Sequence, residues 1–329
     1  MTNVLEVSGL TTTFTKNGKE FKVVDDLSLC VGKGESLGIV GESGCGKSVT
    51  SLSIMRLLGK NGKIEGSIQL NGTEILAFNE KVMQKIRGKE MAMIFQEPMT
   101  ALNPVLTIGK QMSEGLEKHE GMKRAQAKQK VIELLTQVGI SRANEIYNEY
   151  PHRLSGGMRQ RVMIAMAIAC SPKLLIADEP TTALDVTIQA QILDLIQKVR
   201  VELGMSLIMI THDLGVVAET CDRVMVMYAG QVIESADVRT LLRNPKHPYT
   251  IGLIHSTPHK AKGQKRLNSI AGSVPAPDEY PKGCRFAPRC DKAMPICAEQ
   301  NPQLMAVDEQ SHCRCWLYQE LDKRSAVNV

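Results

Sequence analysis

The stretch that decides the fold is Gly41-Glu42-Ser43-Gly44-Cys45-Gly46-Lys47-Ser48, which has the spacing G-x-x-x-x-G-K-S. It follows the apolar run 36–40, which predicts a buried strand, and a helix is predicted to begin at Lys47. Between a strand and a helix, glycines allow backbone N–H groups to converge on anionic oxygens, and the helix N-terminus adds a partial positive charge. The stretch therefore predicts a loop that binds phosphate groups.

The residues of this loop have separate predicted roles toward a nucleotide. The ammonium of Lys47 can reach the β- and γ-phosphates, and the hydroxyl of Ser48 can ligate Mg²⁺. Cys45 is interpreted as a spacer that contributes its backbone, not as a nucleophile. A glycine-rich turn without a ligand is the alternative, and the strand and helix on its two sides argue against it. The residues predicted to contact ATP or Mg²⁺ here are Gly41, Ser43, Gly44, Cys45, Gly46, Lys47, Ser48 and Val49.

Length and composition limit the class of protein. The chain has 329 residues, 43% of them hydrophobic and 23% charged, which allows one large domain and a smaller one. Its net charge of +5 is too small to predict nucleic-acid binding. The N-terminus lacks the features of a signal peptide, and the longest uncharged apolar stretch, 162–170, is far shorter than the roughly 20 residues that span a bilayer. We therefore expect a cytosolic chain that needs separate membrane subunits for any membrane function.

Predicted strands alternate with predicted helices along most of the chain. This alternation predicts an α/β fold with a mostly parallel sheet covered by helices on both faces. Alternating apolar and polar residues at 3–9 and 22–31 add an antiparallel β subdomain, and helical spacing at 108–138 adds a helical insertion within about 97–160. The other predicted strands are 91–95, 173–178 and 206–210, and the other predicted helices are 157–170 and 187–203.

Two adjacent acids end the predicted strand 173–178. Asp178 is placed to hold Mg²⁺ through water, and Glu179 is a candidate general base for the attacking water. Phosphoryl transfer depends on positioning and charge neutralisation, so one base and one metal ion suffice. A solvated acidic turn is the alternative, and the presence of the phosphate-binding loop argues against it.

The stretch Leu154-Ser155-Gly156-Gly157-Met158-Arg159-Gln160-Arg161 lies at the start of a predicted apolar helix. Ser155 is predicted to cap that helix, and the two glycines leave its N-terminal amides open to an anion. A plain helix cap explains Ser155 but not the whole stretch. With these residues the sequence resembles the ATP-binding-cassette (ABC) transporter ATPases. The resemblance implies that Ser155, Gly156 and Gly157 contact the γ-phosphate of an ATP held by the opposite subunit.

Further motifs of that family follow in its order within residues 3–245. Phe95-Gln96-Glu97-Pro98 resembles the glutamine loop, which senses Mg²⁺ and faces membrane subunits. Thr182-Ala183-Leu184-Asp185 resembles the loop that communicates across a dimer, where Asp185 lies near the partner's ATP, and His212 resembles the switch histidine that holds the γ-phosphate. Phe14 matches the aromatic residue that stacks on adenine, with a core position as its alternative. The residues implied to be catalytic are Lys47, Gln96, Glu179 and His212.

The resemblance implies a P-loop ABC-type nucleotide-binding domain over residues 1–245, which pairs with a second ATPase chain. Near residue 245 the texture changes, because seven prolines from Pro245 to Pro288 interrupt regular periodicity. We therefore predict a small, loop-rich, cysteine-containing module at 246–317 and a tail at 318–329. The stretches His247-Pro248-Tyr249-Thr250 and 283–290 resemble the C-terminal extension of the oligopeptide/dipeptide (and nickel) importer ATPases.

This second resemblance implies a complete import system. The chain would be the first, D-type, of two different ATPases, and it would work with two permease subunits and an extracellular binding protein at the cytoplasmic face of the membrane. Peptide is the implied cargo, and nickel or another small solute is the alternative. A soluble ABC ATPase acting on DNA or the ribosome is a further alternative, but such proteins usually carry two cassettes or long coiled-coil insertions, and this sequence has neither.

Nine cysteines divide into two groups. Cys30, Cys45, Cys170 and Cys221 are scattered and are interpreted as small buried hydrophobic residues. The other five crowd the C-terminal module, with gaps wider than the usual C-x₂₋₄-C of zinc sites, so spacing leaves reduced thiols, zinc and an iron–sulfur cluster open. The resemblance implies a [4Fe-4S] cluster with a structural or redox-sensing role. Its implied ligands are Cys284, Cys290, Cys297 and Cys315, with Cys313 as the alternative to Cys315.

Overall fold

A computed structural model describes residues 2–16, 18–97, 101–182, 184–256 and 270–319. Of the residues named above, Pro98, Ala183 and the tail from residue 320 onward lie outside the described residues. The chain divides into two compact units, each assembled from segments that are distant in sequence. The first unit comprises Met1–Glu6, Cys30–Glu35 and Gln69–Met209, and the second comprises Val7–Leu29, Ser36–Ile68 and Ile210–Val329.

The described residues form strands and helices in alternation. The strands are β1 (Asn3–Lys16), β2 (Lys19–Gly32), β3 (Ser36–Val40), β4 (Gly62–Leu70), β5 (Thr73–Glu74), β6 (Met91–Ile94), β7 (Leu174–Asp178), β8 (Ser206–Thr211), β9 (Arg223–Tyr228), β10 (Gln231–Asp237), β11 (Met305–Ala306) and β12 (Ser311–Cys313). The helices are α1 (Lys47–Ile54), α2 (Glu80–Ile86), α3 (Ile108–Glu120), α4 (Arg124–Gln137), α5 (Ala143–Ile146), α6 (Gly156–Ile168), α7 (Val186–Leu203), α8 (Leu214–Thr220), α9 (Val238–Arg243), α10 (Pro248–His255) and α11 (Pro295–Glu299). Short 3₁₀ turns cover Pro151–Arg153 and Ala287–Arg289.

The second unit is built around β3, whose five residues are all buried. β3 pairs in parallel with β9, from Leu37 opposite Arg223 to Val40 opposite Val226. β9 pairs antiparallel with β10, β10 with β12, and β12 with β11. One hydrophobic cluster joins β3 and β9 to residues beyond 245. Its members include Val40, Val226, Tyr228, Tyr249 and Phe286.

The first unit carries a second pair of parallel strands. β6 pairs with β7 from Met91 opposite Leu174 to Ile94 opposite Ala177. All residues of both strands are buried, as expected when helices cover both faces of a parallel sheet. The helix α6 packs against β6. These parallel pairs, with helices between the strands, confirm the predicted α/β fold class.

The predicted helical insertion at 108–138 contains two helices, α3 and α4. Gly121 ends α3 in the left-handed conformation (φ +65°), which a residue without a side chain adopts at little cost. α3 packs on α4, and both pack on α6. The region predicted to be loop-rich, 246–317, also holds α10, α11, β11 and β12. The proposed boundaries at 97–160, 245 and 317 stay predictions.

Candidate functional site

The phosphate loop follows β3 in the second unit and leads directly into α1. Its glycines are required where the backbone is crowded: a side-chain carbon at Gly41 would lie 2.3 Å from the carbonyl oxygen of Met227 and 2.7 Å from the sulfur of Cys45. Gly46 caps α1 with φ +103°, a conformation that other residues rarely adopt. Ser43 and Gly44 are exposed, so the tip of the loop is accessible to a ligand.

Lys47 is the first residue of α1, and its side chain turns back into the loop. The ammonium donates to the carbonyl of Gly41 at 2.7 Å and to that of Glu42 at 3.0 Å, and Lys47 is only 5% exposed. A buried cation held by carbonyls inside a glycine-rich loop provides a fixed positive charge for anionic oxygens. The contact of Lys47 with the β- and γ-phosphates stays a prediction.

Cys45 is fully buried within the same loop. Burial raises the pKa of its thiol, so the thiol stays protonated at neutral pH. A protonated, inaccessible thiol is a poor nucleophile, which supports the interpretation of Cys45 as a spacer. The other scattered cysteines, Cys30, Cys170 and Cys221, are half-buried, not fully buried as the sequence suggested.

Two further predicted site residues lie in the second unit. Phe14 is a half-buried residue of β1, and its strand is tied to α1 by a 2.8 Å hydrogen bond between the hydroxyls of Thr12 and Ser53. His212 follows β8 and is exposed, and the next residue, Asp213, caps α8 by accepting from the N–H of Gly215 at 2.7 Å. These placements leave the adenine and γ-phosphate roles of Phe14 and His212 as predictions.

The first unit brings Gln96 and Glu179 together. Because β6 and β7 are parallel and in register from Ile94 to Ala177, the residues two positions beyond each strand pairing lie side by side. The amide of Gln96 donates to Glu179 Oε2 at 3.1 Å, and the hydroxyl of Thr182 donates to the same oxygen at 2.9 Å. The carboxylate is therefore held in one orientation by two donors.

Glu179 also has an unusual backbone conformation. Its φ of +45° lies in the left-handed region, which costs a residue with a side chain roughly 1 kcal/mol or more. This turn separates the two acids: Asp178 ends β7 and is 3% exposed, whereas Glu179 is half-buried. The sequence placed both acids at the strand end, but the backbone turn that sets their different environments was not predicted.

The predicted partner-facing residues lie at the starts of two helices in the first unit. Ser155 caps α6 by accepting from the N–H of Met158 at 3.3 Å, and it is exposed together with Gly156. Gly157 lies at the same helix start, half-buried. Asp185 caps α7 by accepting from the N–H of Ile188 at 2.9 Å. Both helix N-termini therefore present open surfaces, and contact with a partner's ATP stays a prediction.

The five C-terminal cysteines all belong to the second unit. Cys297, Cys313 and Cys315 are buried, and Cys284 and Cys290 are half-buried. Among all described residues, no group of three or more His, Cys, Asp or Glu is arranged to hold a metal ion. The predicted [4Fe-4S] cluster and metal-binding role are therefore not supported by the structure.

The thiols instead interact with one another. Cys313 hydrogen-bonds to Cys315, which lowers the pKa of Cys315 and raises that of Cys313. Burial raises the pKa of Cys284 to about 11, with smaller effects from Cys297 and Cys315. The pKa of Cys290 is also raised by burial.

Sequence analysis missed the contacts that the C-terminal region makes with the phosphate loop. Tyr249 and Arg289 both bind Glu42, the second residue of that loop. The stretches that contain Tyr249 and Arg289 indicate a family resemblance but predict no contact with the phosphate loop. No local pattern reveals a contact between positions more than 200 residues apart.

Among the described helices, none has the length and the apolar character that a membrane span requires.

Two families match the sequence: one described as "ABC transporter" matches residues 24–182, and one described as "Oligopeptide/dipeptide transporter, C-terminal region" matches residues 233–297. Together these matches include the phosphate loop, Gln96, the 154–161 stretch and Glu179, and then the start of the cysteine region.

Named relatives resemble the chain over nearly its whole length. The oligopeptide transport ATP-binding protein AppD of Bacillus subtilis (strain 168) is 55% identical over 322 residues, which cover 97% of this chain and 98% of AppD. A putative peptide import ATP-binding protein of Brucella ovis is 52% identical over 332 residues, with the same coverage of both chains.

Solved structures resemble the larger part of the chain. The ATP-binding cassette MJ0796, in a dimeric post-hydrolysis state bound to ADP and Pi, matches with a TM-score of 0.65 at 27% identity, over 71% of this chain and 99% of that one. The cbiO1 protein of Clostridium perfringens, part of the ABC transporter complex cbiONQ, matches with a TM-score of 0.63 at 26% identity, over 77% of this chain and 96% of that one.

Proposed function

The chain belongs to the ABC transporter family and carries the oligopeptide/dipeptide transporter C-terminal region, and on this premise we propose that it is the ATP-hydrolysing subunit of a peptide importer. The observation that carries the proposal is the 55% identity to an oligopeptide transport ATP-binding protein over 97% of the chain. That likeness includes both the nucleotide-binding motifs of 1–245 and the cysteine region of 246–317.

For hydrolysis, we assign Glu179 as the general base that accepts a proton from the attacking water. Gln96 and Thr182 hold its carboxylate in place, which supports this assignment. Lys47 and the amides of 41–49 bind the phosphates, His212 contacts the γ-phosphate, and Phe14 stacks on adenine. The Ser48 hydroxyl and the Asp178 carboxylate are oxygen donors of the kind that Mg²⁺ prefers, so they would hold the ion, which would neutralise charge on the transferred phosphoryl group.

The assembly that we propose contains a second, homologous ATPase, two permease subunits and an extracellular peptide-binding protein. This chain is the first, D-type, ATPase, located at the cytoplasmic face of the membrane, and it does not act on nucleic acid. A partner ATPase is supported by the exposure of Ser155, Gly156 and Asp185 at two helix starts. Helix N-termini can bind anions, so these open surfaces could contact an ATP held by the partner. Val186, beside Asp185, is 84% exposed and adds an apolar residue to the same surface.

Peptide is the cargo that we propose, because both named relatives are peptide or oligopeptide transport proteins. Import of nickel or another small solute by the same machinery is the second candidate. Cargo is selected by the binding protein and the permeases, so the residues of this chain do not distinguish the two. A soluble ABC ATPase without a transport role is the third candidate.

We also propose, as the finer interpretation of the cysteine region, a [4Fe-4S] cluster held by Cys284, Cys290, Cys297 and Cys315. The gathering of five thiols in one region supports it, whereas the absence of a formed ligand group among the described residues opposes it. Because the thiols of Cys313 and Cys315 are hydrogen-bonded to each other, Cys313 is the alternative to Cys315 as the fourth ligand.

The test of the proposed function is peptide uptake into vesicles that contain the chain, its partner ATPase and the permeases, with binding protein and labelled peptide outside. We expect ATP-dependent uptake that Glu179→Gln abolishes, with ATP hydrolysis lowered about 10³-fold and MgATP binding kept, because only the base is lost. Exposed Lys198→Gln, on α7, is the control and should transport normally. Normal turnover by Glu179→Gln contradicts the assignment of the base, and uptake of nickel but not of peptide contradicts the cargo.

A further inference from the structure

An arginine of the cysteine region forms an ion pair with the phosphate loop. Arg289 Nη1 donates to Glu42 Oε2 at 2.7 Å and Nη2 donates to Glu42 Oε1 at 3.1 Å, which is a bidentate ion pair. The Arg289 side chain is 5% exposed and that of Glu42 is 31% exposed. The pair therefore lies largely out of water, where a missing partner has a large effect.

Arg289 is itself held rigidly. Its Nε donates to the carbonyl of Ala271 at 2.8 Å, and Nη2 also approaches the carbonyls of Ile270 and Gly272 at 3.3 Å. Arg289 is followed directly by Cys290, at the end of a 3₁₀ turn. The guanidinium that binds the phosphate loop is thus fixed by the backbone of the C-terminal region.

A second contact holds the main chain of the same loop residue. The N–H of Glu42 donates to the hydroxyl of Tyr249 at 2.9 Å. Tyr249 is fully buried and packs edge-to-face against Tyr228 and Phe286, with ring centroids 4.8 Å and 5.4 Å away. Both the backbone and the carboxylate of Glu42 are therefore anchored to residues beyond 245.

The charge of Glu42 makes this anchoring relevant to nucleotide binding. Its own carbonyl and that of Gly41 accept from Lys47, so Glu42 is part of the turn that is proposed to surround phosphates. An unpaired carboxylate in that turn would repel a triphosphate, and the repulsion is strongest where water is partly excluded. The guanidinium of Arg289 neutralises this carboxylate.

We propose that Arg289 is a positioning residue for ATP binding, which acts through Glu42 by neutralising its carboxylate and, together with Tyr249, by fixing the backbone at 41–42. The inference rests on the proposed function, because it assumes that the phosphate loop binds ATP. It gives the C-terminal region a second role, in which changes at the turn before Cys290 alter nucleotide affinity.

The test is calorimetric titration of the purified full-length chain with MgATP. Arg289→Gln is expected to weaken binding about tenfold, because it leaves the Glu42 carboxylate without its partner. Adding Glu42→Gln to Arg289→Gln is expected to recover most of the affinity, since the repelling charge is removed. A residue that only stabilised the fold would leave the MgATP affinity of the folded single variant unchanged, whatever its melting temperature. Thermal unfolding of each variant is measured in parallel.

Arg314→Gln is the matched control. The side chain of Arg314 is likewise buried in the C-terminal region, but its guanidinium donates to the carbonyls of Val232 and Pro302, at 2.9 Å and 3.1 Å. We expect it to lower the melting temperature without weakening MgATP binding. If Arg289→Gln does not fold, Arg289→Lys, which keeps the charge, is expected to bind about threefold more weakly than the unchanged chain.

Two results would overturn the inference: folded Arg289→Gln with unchanged MgATP affinity, or a double variant no better than the single one. Equal loss of affinity in Arg314→Gln would also count against it, because the effect would then follow general stability. Failure of the unchanged chain to bind MgATP is a different outcome, since it contradicts the proposed function itself.

Discussion

The phosphate loop at 41–48 and the cysteine region at 246–317 belong to the same compact unit, yet their sequences specify structure in different ways. The loop is defined by residues next to each other: a buried strand, crowded glycines and a helix start. The cysteine region is defined by distant partners, such as Glu234 opposite Cys313 between β10 and β12. The local geometry of the loop can be predicted from its motif. The structure of a region that pairs with distant strands cannot be predicted in this way.

The largest expected effect comes from breaking the local geometry. Gly41→Ala places a carbon 2.3 Å from the Met227 carbonyl, a backbone atom that cannot move aside easily. We expect at least 100-fold weaker MgATP binding and a loss of about 2–3 kcal/mol in the free energy of unfolding, because the loop must shift from β9. Titration with MgATP and chemical unfolding measure the two effects.

Gly44→Ala is the matched comparison within the same loop. Nothing lies within 4 Å of a carbon added at Gly44, although its φ of +83° disfavours a side chain. Its loss of stability should therefore be smaller, about 1 kcal/mol. Equal effects of the two variants would show that backbone conformation, not crowding against Met227, requires glycine in the loop.

The cysteine region offers a second test of the comparison. If its thiols bind iron, anaerobically purified protein should be brown, and Cys290→Ser should lose the colour, most of the iron and several degrees of melting temperature. Cys170→Ser, a half-buried cysteine in the first unit, should keep all three. Iron and sulfide analysis, visible absorbance and thermal unfolding are the measurements. Colourless native protein that carries stoichiometric zinc, or no metal, would contradict the cluster.

The sequence predicted those parts of the site that depend on neighbours in the chain. The strands before Gln96 and Glu179, the cap at Ser155 and the strand and helix beside the phosphate loop lie where the sequence predicted them, because each follows from local periodicity and capping preferences. The cap formed by Asp185 was not predicted. It did not predict the left-handed turn at Glu179, since the two acids look equivalent in sequence. Nor did it predict the contacts of Glu42 with Tyr249 and Arg289, which depend on how residues after 245 fold onto β3 and β9.

The smallest expected effect is a change in how the free energy of unfolding depends on pH, and it involves His247 at the start of the cysteine region. His247 is 1% exposed, its ring Nδ1 accepts from the backbone N–H of Tyr249 at 3.0 Å, and the backbone N–H of His247 donates to Glu234 Oε2 at 2.8 Å. Burial lowers the pKa of His247 to about 3, so the folded protein keeps the imidazole neutral. The ring of Phe286 lies 5.7 Å from the imidazole, centroid to centroid, and burial raises the pKa of Glu234, which binds the backbone N–H of His247.

The sign of the pH effect follows from this lowered pKa. Above the usual histidine pKa of about 6.5, folded and unfolded chains both hold neutral His247, so its contribution to stability is complete. Below that pH the unfolded chain gains a proton that the folded chain refuses, and stability falls by about 1 kcal/mol for each pH unit toward pH 3. The raised pKa of Glu234 acts in the opposite direction, because protonation then favours the folded state as pH falls.

His247→Asn isolates the histidine contribution, because asparagine also caps the start of α10 but does not titrate. We expect the variant to be less stable than the unchanged chain at pH 7.5, since the packing against Phe286 is lost, and to lose about 1 kcal/mol less between pH 7.5 and pH 5.5. Chemical unfolding at both pH values measures this difference. Because Glu234 is present in both proteins, its titration cancels, and identical pH dependence in the two would show that His247 gains a proton in the folded state.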